Sequence, residues 1–274
     1  MSDNRVQRAY DRVRVARSNT RPTASNYISN LFTDFTELHG DRCFGDDPAV
    51  VGGLAYLNDI PVTVIALEKG ENVLERVRHN FGAANPEGYR KAIRLMQQAE
   101  KFGRSVICLV DTSGAYCGIE AEERGQGAAI AQSITTMLGL RVPTLSLLIG
   151  EGGRGGALAL AAASEVWMLE NAVYSVISPE GCASILWKDA GKAAEAAQSL
   201  KLTAEDAKRL GVADRIIPED RLGTDTFYVD LKQALYERIS EMQLLPAPLL
   251  LERRHARFRA LGTGNVMTNN GGLS

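Results

Sequence analysis

The stretch 142–163, VPTLSLLIGEGGRGGALALAAA, constrains this chain more than any other. An apolar strand-like run breaks into glycines and resumes as a run of small residues with helical character. The pattern predicts a strand, a tight turn and a helix N-terminus, with Gly152, Gly153, Gly155 and Gly156 in the turn. A helix leaves its first backbone N–H groups without intrahelical partners, and glycine removes the side chain that would shield them. Three readings fit. The glycines can serve backbone geometry alone. They can bind a dinucleotide, since Gly150-Glu151-Gly152-Gly153-Arg154-Gly155 satisfies G-x-G-x-x-G and Glu165 and Glu170 follow at about the spacing of a ribose-binding acid. A Rossmann turn normally opens its domain, however, and here much patterned chain comes first. Or the turn is an oxyanion hole, its paired N–H groups holding the negative oxygen of an enolate or tetrahedral intermediate. A phosphate loop does not fit, because no Lys-Ser or Lys-Thr follows the glycines.

Taken in order, residues 1–21 are arginine-rich with Val6, Tyr10, Val13 and Ala16 at helical spacing, which predicts a polar helix with one narrow apolar stripe. Residues 25–38 set Tyr27, Ile28, Leu31, Phe32, Phe35 and Leu38 on one face, predicting a second helix stopped by Gly40. AVVGGLAYL and PVTVIAL, separated by Asn58-Asp59, predict a β-hairpin. Pro86 then opens a helix reaching about Phe102, and 105–110 reads as a buried strand ending in a second glycine turn, DTSGAYCG at 111–118. A helix over about 121–138 leads into the opening stretch, after which 165–169 and 174–178 predict strands and 179–187 a helix. The order β-β-α-β-α-β-α-β-β-α implies mainly parallel pairing with right-handed crossovers, and it brings both glycine turns to one sheet edge. Thr203 is placed to cap a helix ending near Gly211, an exit strand follows at 212–218, and a last helix covers 225–243. The chain divides into an N-terminal helical segment (1–39), a main domain (40–261) and a flexible tail (262–274) too poor in apolar residues to order itself.

Composition narrows the function classes. A formal net charge of −2 gives no reason to expect nucleic acid or an anionic membrane as the main partner, and no apolar run is long enough to span a bilayer. The cysteines, Cys43, Cys108, Cys117 and Cys182, are scattered without a C-x-x-C pair, so neither a zinc site nor a disulfide scaffold is expected and a cytoplasmic setting fits. One basic cluster stands out: Lys69, Arg76, Arg78 and His79, then Arg90, Lys91 and Arg94. It can be a solvated face, or it can meet the phosphates of a nucleotide-bearing ligand.

The strings HGDRCFGDDPAVVGGLA, RVRHNFGAANPEGYRKAIRLMQQAE, AEERGQ, IGEGGRGGALAL and YSVISPEGCASILWK, with the order of elements, resemble the carboxyltransferase α subunits of bacterial-type acetyl-CoA carboxylase. The likeness covers about residues 25–218. It implies an α/β fold of the ClpP/crotonase kind, built of repeated β-β-α units behind N-terminal helices. It also implies transfer of a carboxyl group from carboxybiotin, on a biotin carboxyl carrier protein, to acetyl-CoA, giving malonyl-CoA for fatty-acid synthesis. A β subunit bearing a zinc ribbon and much of the CoA site would complete an α2β2 enzyme, leaving no metal in this chain. Family chemistry passes through CO2 and a biotin enolate, with one oxyanion hole from each subunit. By matching strings, the hole of this chain is the backbone N–H pair of Gly155 and Gly156, with Gly152, Gly153, Arg154, Ser113, Gly114 and Ala115 lining the substrate site. Lys69, Arg76, Arg78 and Arg90 are candidate substrate-binding residues, some of them expected to face the carrier or CoA. The family strings usually read GEGGSGG and DTPGAYPG, so Arg154, Ser113 and Cys117 are departures, and Glu120 replaces a usual glycine. Those departures keep two alternatives open: a paralogue acting on another acyl-CoA, and a non-catalytic member that binds the β chain or an acyl-CoA.

Overall fold

A computed structural model describes the backbone of residues 2–263 and side chains from Ala9 to Thr263, so most of the expected tail lies outside the described residues. Two helices open the chain, α1 (Ser2–Ala16) and α2 (Ala24–Leu31), followed by β1 (Thr33–Glu37) and the hairpin β2 (Val50–Leu57) and β3 (Ile60–Leu67). Next come α3 (Val73–Arg78), a 3-10 turn at Asn80–Gly82, α4 (Pro86–Lys101), β4 (Ser105–Thr112), α5 (Ile119–Glu123) and α6 (Gln126–Gly139). The centre holds β5 (Thr144–Gly153), α7 (Arg154–Ala161), β6 (Glu165–Leu169) and β7 (Val173–Ser175). The chain closes with α8 (Pro179–Trp187), α9 (Ala193–Leu200), α10 (Ala204–Arg209), β8 (Arg215–Ile217), α11 (Asp225–Gln243) and α12 (Ala247–Ala260).

One sheet organises these elements in the order β1-β2-β3-β4-β5-β6-β8, antiparallel from β1 to β3 and parallel beyond, with β7 paired to β5. Every residue of β4 is buried, as a parallel strand covered by helices on both faces requires. β5 serves two neighbours in turn: Leu145–Leu148 pairs with β6, while Glu151, Gly152 and Gly153 pair with β7. That split pairing carries the strand out to the start of α7.

Several expectations change. The helix expected over 25–38 stops at Leu31, because Phe32 turns extended (φ −121°, ψ 157°) and the Thr-rich segment beyond it adds a strand to the free edge of β2. β1 therefore gives the 1–39 segment a place in the main sheet. The helix expected over 121–138 is broken by Gly125, whose φ of +82° suits glycine, into α5 and α6. The helix over 225–243 is found at those bounds, but α12 follows it, and α9 was not foreseen. The glycines 152 and 153, expected in the turn, belong to β5.

α1 packs Ala9, Val13 and Ala16 against Val173, Ala197 and Leu202. Arginines fasten it and the segment after it to the sheet edge: Arg12 to Glu170 at 3.3 Å, Arg17 to Glu151 and Glu180, and Arg21 to Glu219, the last three at 2.7 Å.

Candidate active site

The site is built where β4 and β5 end. β5 runs extended to Gly153, and the reversal into α7 falls on one residue, Arg154, with φ +57°. Gly155 and Gly156 are the second and third residues of α7, where N–H groups have no intrahelical acceptor, and no side chain caps this helix. Two main-chain donors therefore face away from the helix body, at its positive end.

The second glycine turn packs directly against the first. Thr112 shapes it, its hydroxyl donating to the Gly114 carbonyl at 2.8 Å and accepting from the Gly114 N–H at 3.0 Å. A Cβ on Gly153 would overlap the Ser113 carbonyl, and one on Gly156 would lie 2.5 Å from the Ala115 nitrogen. Glycine is required at both places by this close approach of backbones. The aliphatic part of Arg154 crosses above Gly114, its Cδ 3.3 Å from the position of a Cβ there. The structure thus brings together Ser113, Gly114, Ala115 and residues 152–156. Below them, the Tyr89 hydroxyl reaches within 2.7 Å of the Cβ position on Gly156; it is fully buried and has no hydrogen-bond partner among the described residues. Burial, with the charge of Asp47, holds its pKa far above the ordinary value, so it stays protonated.

A buried charge cluster fixes the strand ends. Asp111, the last apolar-run residue but one of β4, accepts from the Glu151 N–H at 2.8 Å and pairs with Lys69 Nζ at 2.6 Å. The Glu151 carboxylate takes Lys69 on one oxygen at 3.2 Å and Arg17 on the other at 2.7 Å. Burial raises the pKa of Asp111; it opposes charge on Lys69 and Glu151 too, but there the opposite charges prevail, so Lys69 is raised and Glu151 lowered. Sequence reasoning placed neither Asp111, Glu151 nor Arg17 in the site. The available signal was an aspartate closing an otherwise apolar strand and a glutamate set between glycines.

The basic cluster does not gather at this site. Lys69 is held by its two carboxylates. Arg76 borders the cavity of about 190 Å³ beside Lys69, Asp111 and Ser113, but its guanidinium donates to the Gly70 and Glu71 carbonyls. Arg78 is exposed and lines a different groove, with Phe35, Glu37 and Pro48. Arg90 is bound to Asp41 at 2.7 Å and to the Arg124 carbonyl. The acids that a dinucleotide turn would need are also engaged, Glu165 with Arg238 at 2.7 Å and Glu170 with Arg12 at 3.3 Å.

Parallel strands with a common edge, two interlocked glycine turns and an uncapped helix N-terminus make up the candidate site. The fold of the transcarboxylase 12S core, solved with methylmalonyl-coenzyme A and methylmalonic acid bound, is similar, with a TM-score of 0.64 at 20% identity over 77% of this chain and 40% of that one. Residues 5–262 match the acetyl co-enzyme A carboxylase carboxyltransferase-like family, and the chain belongs to it. The acetyl-coenzyme A carboxylase carboxyl transferase subunit alpha of Ruminiclostridium cellulolyticum is 59% identical over 254 residues, 93% of this chain and 98% of that protein. A Natranaerobius thermophilus protein named as carboxyl transferase subunits beta/alpha is 54% identical over 92% of this chain and 42% of its own length. Among the described residues no helix is long and apolar enough to cross a membrane, and no group of three or more His, Cys, Asp or Glu side chains is arranged to hold a metal.

Proposed function

We propose that this chain is the α subunit of an acetyl-CoA carboxylase carboxyltransferase, moving a carboxyl group from carboxybiotin to acetyl-CoA to give malonyl-CoA in the cytoplasm. The observation that carries the reading is the uncapped first turn of α7, packed against the 113–115 turn. The N–H groups of Gly155 and Gly156 are the donors we assign to the ureido oxygen, which gains negative charge as the carboxyl group leaves. Such donors work because they are fixed before charge develops, and each typically lowers the barrier by about 3–4 kcal/mol. The Asp111–Lys69–Glu151 cluster supplies that rigidity from below. A β subunit, bringing the zinc ribbon and the donors for the thioester enolate, faces this edge in an α2β2 assembly, and the biotin arrives on its carrier protein.

The test is malonyl-CoA decarboxylation in the presence of biotin by the chain assembled with its β subunit. Turnover by the wild type and its loss in Gly155→Val, at unchanged assembly, supports the reading. An assembled wild type without turnover on acetyl-CoA or malonyl-CoA, but active on a longer acyl-CoA, moves it to a paralogue.

A further inference from the structure

The arginine at the bend is displayed as a catalytic side chain would be. Gly152-Gly153-Arg154-Gly155-Gly156 has the form G-x-R-x-G across a strand-to-helix reversal, with the central residue at φ +57° and glycine two places away on either side. In hydrolases the same elbow holds a nucleophilic serine above the sheet. The flanking glycines are sterically demanded here as well: a Cβ on Gly152 would lie 2.5 Å from Leu148 Cδ2, and one on Gly156 2.5 Å from the Ala115 nitrogen. A guanidinium stays protonated and is no nucleophile, so what the elbow offers is a planar cation with paired donors.

Its neighbours show that this cation is uncommitted. Arg12, Arg17, Arg21, Arg76 and Arg90 all donate to carboxylates or carbonyls. Arg154 is exposed, lies over Gly114, and has no hydrogen-bond or ion-pair partner among the described residues. Arg154 borders a small recess together with Arg17, Ser113, Glu151, Ser175 and Ser178. At the floor of the same bend sits the buried, unpartnered Tyr89 hydroxyl. The carboxylate that borders this recess, Glu151, is already held by Arg17 and Lys69 and makes no hydrogen bond to Arg154 among the described residues.

We infer that Arg154 grips the carboxylate that is transferred, by paired N–H donors, and so distinguishes the carboxylated from the uncarboxylated substrate. This rests on the carboxyltransferase reading above. In the reaction the N–C bond of carboxybiotin breaks and its electron pair stays on the ureido group, while CO2 is released. The acetyl methyl loses a proton to the ureido nitrogen, and its carbon forms a bond to CO2, restoring a carboxylate on malonyl-CoA. One negative charge enters on biotin and leaves on malonyl-CoA. Arg154 holds that carboxylate before and after transfer, whereas Gly155 and Gly156 act while the charge is on the ureido oxygen. A grip on the ground-state anion appears in KM and binding rather than in kcat.

The test uses the chain assembled with its β subunit and compares wild type with Arg154→Gln, which keeps length without charge, and Arg154→Gly, which suits the left-handed bend. Isothermal titration should show malonyl-CoA bound more tightly than acetyl-CoA by the wild type, with that preference reduced about ten- to hundredfold in both variants, as expected for losing charge-assisted hydrogen bonds. KM for malonyl-CoA should rise with it, by a larger factor than KM for acetyl-CoA. A rise confined to KM for the carboxylated carrier places the grip on the biotin side of the same transfer. Equal changes for malonyl-CoA and acetyl-CoA, or no change in any of these constants, overturns the assignment. Binding is read without turnover, so an inactive wild type would reject the activity and still leave the preference measurable.

Discussion

Adding a single methyl group at two adjacent glycines separates the packing of the bend from the donors it carries. At Gly155 a Cβ would meet only Ile130 Cγ2, at 3.4 Å, so alanine fits with a few tenths of an ångström of adjustment. Alanine is also favoured over glycine inside a helix by about 0.5–1 kcal/mol. Gly155→Ala keeps its N–H, and it should be as stable as the wild type or slightly more so, with turnover within about tenfold. At Gly156 the same methyl would lie 2.5 Å from the Ala115 nitrogen, 2.7 Å from the Tyr89 hydroxyl and 3.0 Å from the Gly114 carbonyl carbon. Two of these are backbone atoms, so the 113–115 turn or α7 must shift. Overpacking of this kind costs about 1–3 kcal/mol, and displacing fixed donors lowers kcat by about 10²–10³-fold. Urea denaturation of the free chain gives the stabilities, and malonyl-CoA decarboxylation by the assembled enzyme gives the rates. Wild-type kcat in Gly156→Ala would refute the reasoning, since the donors would then tolerate a displaced turn. A Gly155→Ala chain as damaged as Gly156→Ala would do the same, because the contacts differ so much.

Tyr89→Phe removes a buried hydroxyl that has no partner among the described residues; stability should change by less than about 1 kcal/mol, and kcat should fall because the hydroxyl supports the bend, so unchanged kinetics would contradict this. Arg254, 1% exposed, donates to the carbonyls of Met137, Leu138, Leu140 and Val142 and to Ser164. Arg254→Ala strands those buried acceptors, costing about 3 kcal/mol or more and lowering Tm by about 10 °C; calorimetry showing a shift below about 2 °C contradicts this. Burial opposes ionisation of Asp41, but N–H donors from Cys43, Phe44 and Gly45 and the Arg90 guanidinium more than offset it and hold its pKa at about 2. Because the folded value lies below the unfolded one, its contribution of about 2 kcal/mol is present above about pH 4 and disappears as pH falls through about 2. Asp41→Asn should lower stability by about that much at pH 7, and the gap to wild type should close at pH 2 in urea titrations.

Local signals carried the hairpin, α4, β4, α8 and α11 because each is bounded by its own residues: Asn58 at φ +54° between β2 and β3, Pro86 and Pro179 at helix starts, Thr224 capping α11 through the Phe227 N–H. β1 was illegible for a tertiary reason. Tyr27 through Leu38 has a helical spacing of apolar residues, yet the free edge of β2 pairs with the second half of it. The extension of β5 through Gly153 depends on β7, and nothing local to GEGG announces that partner. The two glycine turns were found, since backbone crowding demands glycine and leaves a visible mark. The charged floor beneath them was missed because Lys69, Asp111, Glu151 and Arg17 come from four separated segments. Over 69–94 the basic residues are close along the chain, and the fold sends Arg76, Arg78 and Arg90 to different surroundings.

That floor also changes what the N-terminal helix is for. Arg17 lies just past the end of α1, yet it shares Glu151 with Lys69, and Glu151 is paired with β7 through its backbone and tied to Asp111 through its N–H. Two carboxylates with only the ammonium of Lys69 between them would leave excess negative charge under the ends of β4 and β5, where the proposed reading places an anion. Like charges raise the cost of each other and of any incoming negative group. The Arg17 guanidinium offsets the second carboxylate, and Arg21 extends the same support by donating to the Ile149 carbonyl at 2.8 Å. α1 is therefore part of the wall of the site, and its docking is coupled to the electrostatics of the bend. Undocking α1 would free the Arg17 that follows it and leave Asp111 and Glu151 to share the one ammonium of Lys69.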